Sequence, residues 1–231
     1  MAKIFSASVR SVAAWVFDPV ARALLRLGVS PNAVTVAGTL GVLVGAGLAT
    51  QGWLLAGLVV VTLSALTDTV DGTMARMQPR PGRFGALLDS SMDRVADGAV
   101  FGAVAYWMAV TGDLPSVLAA LVCLVAGQLV SYVKARAEGL GMTCDVGWIE
   151  RLERLLIIGV GGLATGLGLD WGLPVTLWVL AALSVATAGQ RIRHAYRQDR
   201  AAVEQAAVEQ AASGRAASGP AAAGRASDRT A

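Results

Sequence analysis

Residues 27–67 carry no charged side chain, and this interval constrains the fold more than any other feature of the sequence. About 20 apolar residues suffice to cross the roughly 30 Å hydrocarbon core of a bilayer, so the interval is too long for one crossing and must fold back. Thr50, Gln51 and Gly52 offer a turn near its middle, which predicts two consecutive helices. Four more uncharged intervals follow, at 98–112, 114–133, 155–169 and 171–190. Only 15% of the 231 residues are charged and 55% are hydrophobic, whereas an average soluble domain is roughly 25% charged. These runs belong in lipid, and the expected class is an all-α integral membrane protein.

Six transmembrane helices are predicted: two within 27–67, and others near 86–111, 115–135, 152–169 and 173–192. Turns at Thr50–Gly52, Thr111–Pro115 and Gly168–Pro174 lie on one side. All 19 Lys and Arg residues fall in the N-terminal segment, the 76–83 loop and nearby Arg94, the 134–154 loop or the C-terminal region, and none falls in those three turns. The positive-inside rule places both termini in the cytoplasm, as expected for a multi-pass protein of the cell membrane.

Residues 1–27 are too charged for a signal sequence, yet Phe5, Val9, Val12, Val16, Val20 and Leu24 recur at helical spacing. They predict an amphipathic helix on the inner membrane surface, broken at Asp18-Pro19. Residues 28–200 form the six-helix domain. Residues 201–231 are rich in Ala, Gly, Ser, Gln and Arg and are expected to fray from a helix into a flexible cytoplasmic tail. Cys123 falls inside a span and Cys144 in a cytoplasmic loop, so neither a disulfide nor a thiolate metal site is expected. The lone His194, among Arg191, Arg193 and Arg197, reads as an interfacial residue.

Four aspartates carry the chemistry. An ionised Asp at the centre of a membrane helix costs roughly 3 kcal/mol on insertion scales, so it must be compensated or hydrated. Asp68 and Asp71 are three apart near the inner end of the second span, and Asp89 and Asp93 are four apart at the inner start of the third. Each pair shares a helix face. The connecting loop, with Pro79, Pro81 and Gly82, is short enough to make the two helices neighbours and to gather the carboxylates around one volume. Such a cluster calls for cations; the plainer reading pairs it with Arg76, Arg83 and Arg94 at the lipid interface. The 15 uncharged residues of Gly98–Gly112 span only about 22 Å of helix. The Asp-bearing turn therefore enters the inner membrane region, where a lipid-anchored and a water-soluble reactant can meet.

The pattern Asp68-x-x-Asp71-Gly72-x-x-Ala75-Arg76, eight residues, Gly85-x-x-x-Asp89-x-x-x-Asp93 resembles the full signature of the CDP-alcohol phosphotransferases, with every fixed position present. The resemblance implies that Asp68, Asp71, Asp89 and Asp93 hold Mg2+, as a pair of ions for which Mn2+ can substitute. It also implies that Asp93 takes the proton from the attacking alcohol. Gly72, Ala75, Arg76, Gly82 and Gly85 would contact the CDP-diacylglycerol donor, as would Pro31, Asn32, Ala33 and Val34 from the Pro-Asn entry to the first span. Gly82 stands where relatives often carry Ser or Thr, so a hydroxyl contact is missing there. Ser30 or Asn32 is also available as a helix cap, with Pro31 in the first turn.

The signature leaves the acceptor open. Ser131 to Glu138, Glu150 to Arg154, and Gln190-Arg191 place cations at the inner ends of the last three spans, and these blocks resemble the prokaryotic members that use inositol phosphate. That resemblance, running from about Ser30 to Arg193, implies that Ser131, Lys134, Arg154 and Arg191 bind the phosphate of myo-inositol phosphate. Cations there would offset repulsion from the donor pyrophosphate, and arginine forks suit phosphate oxygens. The expected reaction joins CDP-diacylglycerol and inositol phosphate and releases CMP. Glycerol 3-phosphate as acceptor and, in a different class, a divalent-cation transporter are the alternatives. The family resemblance implies a homodimer, and Gly41-x-x-x-Gly45, Gly98-x-x-x-Gly102 and Gly162-x-x-x-Gly166 permit close helix approach. Membrane lipids surround the protein, and no nucleic-acid partner is expected.

Overall fold

A computed structural model describes residues 7–78 and 82–217, with side-chain surroundings for residues 16–78 and 82–213. Those residues form seven α-helices and no strand: α1 Ala7–Arg26, α2 Pro31–Thr50, α3 Leu54–Met77, α4 Arg83–Thr111, α5 Leu114–Gly139, α6 Arg151–Gly166 and α7 Gly172–Ala217. Four of them, α2, α3, α5 and α7, are long and apolar enough to cross a membrane. The other two expected spans exist as helices without meeting that standard. Asp89, Asp93, Arg94 and Asp97 interrupt α4, and α6 has only 16 residues.

Local chemistry sets the helix ends. Ser30 caps α2, its side chain accepting from the Ala33 amide at 3.2 Å with Pro31 in the first turn. Gly112, at φ 84, ends α4 in the left-handed conformation that glycine adopts without strain. Asp113 then caps α5 by accepting from the Ser116 amide at 3.1 Å. Glu150 and Glu153 form a reciprocal capping box that starts α6 and fixes where Arg151 and Arg154 emerge.

One expectation needs correction. Pro19 sits inside a continuous α1 rather than dividing it, since proline removes one backbone hydrogen bond but the flanking turns persist. α1 packs on the rest of the chain through a face beside the stripe expected to lie on the membrane. Ala21 is fully buried with Val34, Val70 and Met74, with Phe17, Leu24 and Leu25 packed around them, whereas Val16 and Val20 are exposed. The surroundings of Phe5, Val9 and Val12 lie outside the described residues. The helix containing the last expected span continues through residue 201 to Ala217 and is exposed over residues 201–213; residues 218–231 lie outside the description. So do residues 79–81 of the loop between α3 and α4.

The main core surrounds α4. Val100, Phe101, Val104, Ala105 and Met108 of α4 meet Val42 of α2, Ala119, Ala120 and Cys123 of α5, Ile158 of α6 and Leu173, Leu177 and Leu180 of α7. α4 packs chiefly on α2 and α5, and Arg151 and Arg154 of α6 reach the acidic residues of its N-terminal half.

Candidate active site

The ends of α2, α3 and α4 enclose a cavity of about 490 Å³ lined by Ser30, Pro31, Asn32, Thr35, Asp68, Asp71, Gly72, Ala75, Gln78, Gly82, Phe84, Gly85, Ala86 and Asp89. Three of the four signature aspartates therefore share one cavity wall with six of the residues expected to touch the donor. Thr35 Oγ1 donates to Asp71 Oδ2 at 2.6 Å, tying the start of α2 to the acidic end of α3. A Cβ on Gly85 would lie 3.2 Å from Asn32 Oδ1, so the bare glycine gives the Asn32 amide room between α2 and α4.

Asp93 faces a neighbouring polar cluster. Arg151 Nη1 lies 2.6 Å from Asp93 Oδ1 and 2.6 Å from Asp68 Oδ2, bridging α3 and α4 from the first turn of α6. Among the described residues no group of three or more acidic, His or Cys side chains closes into a ready-made cation cage. The donor set nevertheless fits a hard divalent ion, because Asp68, Asp71 and Asp89 all line the cavity and carboxylate oxygens are the ligands such an ion prefers. The plainer reading, with Arg76, Arg83 and Arg94 as the aspartates' partners, is met only by a 3.9 Å contact between Arg94 and Asp93. Arg76 is exposed and donates to Thr73 Oγ1 at 2.9 Å.

Ala33 and Val34 stand apart from the donor cavity. They line an apolar groove with Leu24, Val29, Ala37 and Gly38, and Val34 is buried against α1 and α3. Their helical register turns them away from the face that carries Thr35.

The expected acceptor residues lie in the last turns of α5 (Ser131 and Lys134), the first turn of α6 (Arg154) and the middle of α7 (Arg191). Arg154 is 1% exposed, and its Nη2 donates to Asp97 Oδ2 at 2.8 Å. Arg191 is buried and donates to the carbonyls of Val130 and Val146, both at 2.8 Å. Lys134 pairs with Asp145 at 2.5 Å and with Glu138 at 3.6 Å, while Ser131 Oγ donates to the Gly127 carbonyl at 3.3 Å. Gly127 and Val130 on α5 thus link the surroundings of Ser131, Arg154 and Arg191. A Cβ on Gly127 would come within 3.3 Å of Arg154 Nε.

Sequence reasoning gave no site role to Thr35, Arg151 or Asp97. Each had a signal: Thr35 directly follows the Pro-Asn entry, Arg151 stands three residues before Arg154, and Asp97 continues the four-residue rhythm of Asp89 and Asp93.

Residues 28–188 match the family model described as CDP-alcohol phosphatidyltransferase. The phosphatidylinositol phosphate synthase of Mycolicibacterium smegmatis is 48% identical over 191 residues, covering 80% of this chain and 86% of that protein. A crystal structure of the Mycobacterium tuberculosis phosphatidylinositol phosphate synthase with CDP-DAG bound aligns at a TM-score of 0.74 and 44% identity, covering 77% of this chain and 92% of that one. The same enzyme in complex with manganese and citrate aligns at a TM-score of 0.74 and 44% identity, over 77% of this chain and 88% of that one.

Proposed function

The chain belongs to the CDP-alcohol phosphatidyltransferase family, and we propose that it transfers the phosphatidyl group of CDP-diacylglycerol to 1D-myo-inositol 3-phosphate, giving phosphatidylinositol phosphate and CMP. One observation carries the reading: Asp68, Asp71 and Asp89 line a cavity with Pro31, Asn32, Gly72, Ala75, Gly82 and Gly85, where a charged head group can lie beside the acidic ends of α3 and α4. The relatives' activity supports the choice of donor and acceptor.

An inositol hydroxyl oxygen attacks the phosphorus bonded to diacylglycerol. A new P–O bond forms, the pyrophosphate P–O bond breaks, and CMP departs with that electron pair. Asp93 accepts the hydroxyl proton, and Asp68, Asp71, Asp89 and Asp93 are the residues that would hold Mg2+. When bound, a pair of Mg2+ ions, or Mn2+ in their place, neutralises the pyrophosphate and the leaving group. Pro31, Asn32, Gly72, Ala75, Gly82 and Gly85 shape the nucleotide cavity. Arg76 supplies a guanidinium fork to a phosphate, and Ala33 and Val34 adjoin the lipid portion. Ser131, Lys134, Arg154 and Arg191 bind the acceptor phosphate, placing cations between two anionic reactants.

The enzyme works as a cell-membrane protein with six spans, α2 to α7, and with α1 on the cytoplasmic surface beside an active site on that side. It forms a homodimer. The Gly98 and Gly102 positions leave open space at that part of α4, whereas Gly45 and Gly166 pack within the chain.

Purified full-length protein in lipid, given CDP-diacylglycerol and Mg2+, should convert labelled inositol phosphate to labelled lipid with matching release of CMP, in preference to free inositol or glycerol 3-phosphate. Preference for glycerol 3-phosphate would overturn the acceptor. Absence of CMP release with every alcohol would overturn the transfer itself.

A further inference from the structure

We propose that Asp97, which lies outside the eight-residue signature, is a positioning residue that sets the phosphate-binding geometry of Arg154 and couples it to Arg151. This role rests on the reading of Arg154 as part of the acceptor-phosphate pocket. Asp97 is 3% exposed and sits one helical turn beyond Asp93 on α4. Its two oxygens point to different arginines: Oδ2 accepts from Arg154 Nη2 at 2.8 Å, and Oδ1 accepts from Arg151 Nε at 3.3 Å. Arg94 Nη2 approaches the same carboxylate at 3.7 Å.

Burial determines what that carboxylate does. A guanidinium as enclosed as Arg154, 1% exposed, is strongly disfavoured without a nearby anion, and Asp97 supplies one. The bond also fixes the plane of the fork, because the donors of a guanidinium are rigidly arranged. With Nη2 committed to Asp97, Arg154 Nε faces Gly127 and has no hydrogen-bond partner among the described residues. A buried, unpartnered N–H beside the Ser131 turn of α5 is suited to an anionic acceptor oxygen.

The second oxygen adds a link to the reacting side. Arg151 joins Asp97 through Nε and joins Asp68 and Asp93 through Nη1. One carboxylate therefore fixes both an arginine of the acceptor pocket and the arginine that contacts Asp93. Displacing it alters where acceptor phosphate binds relative to the group assigned as base.

Asp97→Asn keeps the size of the side chain and one carbonyl acceptor but removes the charge. We expect the KM for inositol phosphate to rise about tenfold or more, the order expected when a charge-assisted bond becomes a neutral one. CDP-diacylglycerol affinity should change much less. The preference for inositol phosphate over free inositol should shrink, and Asp97→Asn combined with Arg154→Ala should be no worse in acceptor KM than Arg154→Ala alone. Asp97→Glu, which restores the charge one methylene away, should give a KM between wild type and Asp97→Asn. If Asp97→Asn does not fold, a raised acceptor KM in Asp97→Glu supports the role, and a wild-type KM or a failure of Asp97→Glu to fold as well overturns it in favour of a purely structural ion pair. In folded Asp97→Asn, a wild-type acceptor KM, a loss confined to kcat, or additivity with Arg154→Ala also overturns it. Wild-type protein that ignores inositol phosphate would overturn the acceptor reading and this role with it, a failure seen before any variant is made.

Discussion

Asp93 differs from the other signature aspartates in what surrounds it. Asp68, Asp71 and Asp89 line the donor cavity, whereas the described contacts of Asp93 are with Arg151 at 2.6 Å and Arg94 at 3.9 Å. If it is the proton acceptor, Asp93→Asn should lower single-turnover CMP release by at least about 100-fold, the lower range for loss of a general base. Equilibrium binding of CDP-diacylglycerol should largely survive, and near-normal turnover in folded protein would exclude the role. The three acceptor-side cations should separate by burial. Lys134 is only partly buried and its Asp145 contact is largely exposed, so Lys134→Ala should raise the acceptor KM while changing stability by no more than about 1 kcal/mol. Arg191→Ala should also raise that KM. It additionally removes the donor to two carbonyls, at 2.8 Å each, so thermal unfolding in detergent should fall well below that of Lys134→Ala.

Among the elements, α2 and α3 approach most closely through two glycines that face each other. A Cβ on Gly57 would lie 2.6 Å from the Gly45 carbonyl oxygen, and one on Gly45 would lie 2.9 Å from the Gly57 carbonyl oxygen. Gly57→Ala should therefore destabilise the helix pair by about 1 to 3 kcal/mol, the usual cost of overpacking, measured by unfolding in detergent. Gly98→Ala, with open space at its Cβ, should leave monomer stability close to wild type. The sequence made the helices and their order legible, because charge-free runs and the turns at Gly52, Gly112 and Gly168 reveal membrane-length segments directly. It was less informative about which face of each helix meets which neighbour. Gly41-x-x-x-Gly45 could be recognised as permitting close approach, but Gly57, which completes the contact, belongs to no such pair. The same holds for α1, whose apolar stripe predicts a membrane-surface helix but not that Phe17, Ala21 and Leu25 pack with Val34 of α2 and Val70 and Met74 of α3.

Over the whole molecule, the signature aspartates could be placed near one another from spacing, because α3 and α4 are joined by a short loop, whereas the Pro-Asn entry is brought to them only by the family resemblance. Arg151 and Asp97 could not be placed together, since they meet across 54 residues and their contact depends on how α6 packs on α4. The proposed orientation rests on the same long-range arrangement. The connections at 51–53, 112–113 and 167–171 are short and contain no Lys or Arg, while the cation-rich connections and both ends of the helix array belong to the opposite side. Short connections make neighbouring helices run in opposite directions, so charge asymmetry in any one connection fixes the orientation of all of them. In a cysteine-free background, made by replacing Cys123 and Cys144, single cysteines at Gln51, Thr111 and Asp170 should react with a membrane-impermeant thiol reagent added to intact cells. Cysteines at Leu140 and Ala206 should react only after the membrane is opened. All five positions are exposed in the folded chain, so protection reports the membrane rather than burial. Reaction at Leu140 in sealed cells, or protection at all three outer positions, would reverse the orientation and remove the cytoplasmic placement of the active site. Protection at Asp170 alone, with Gln51 and Thr111 reactive, would instead show that the 16-residue α6 stops short of the outer surface.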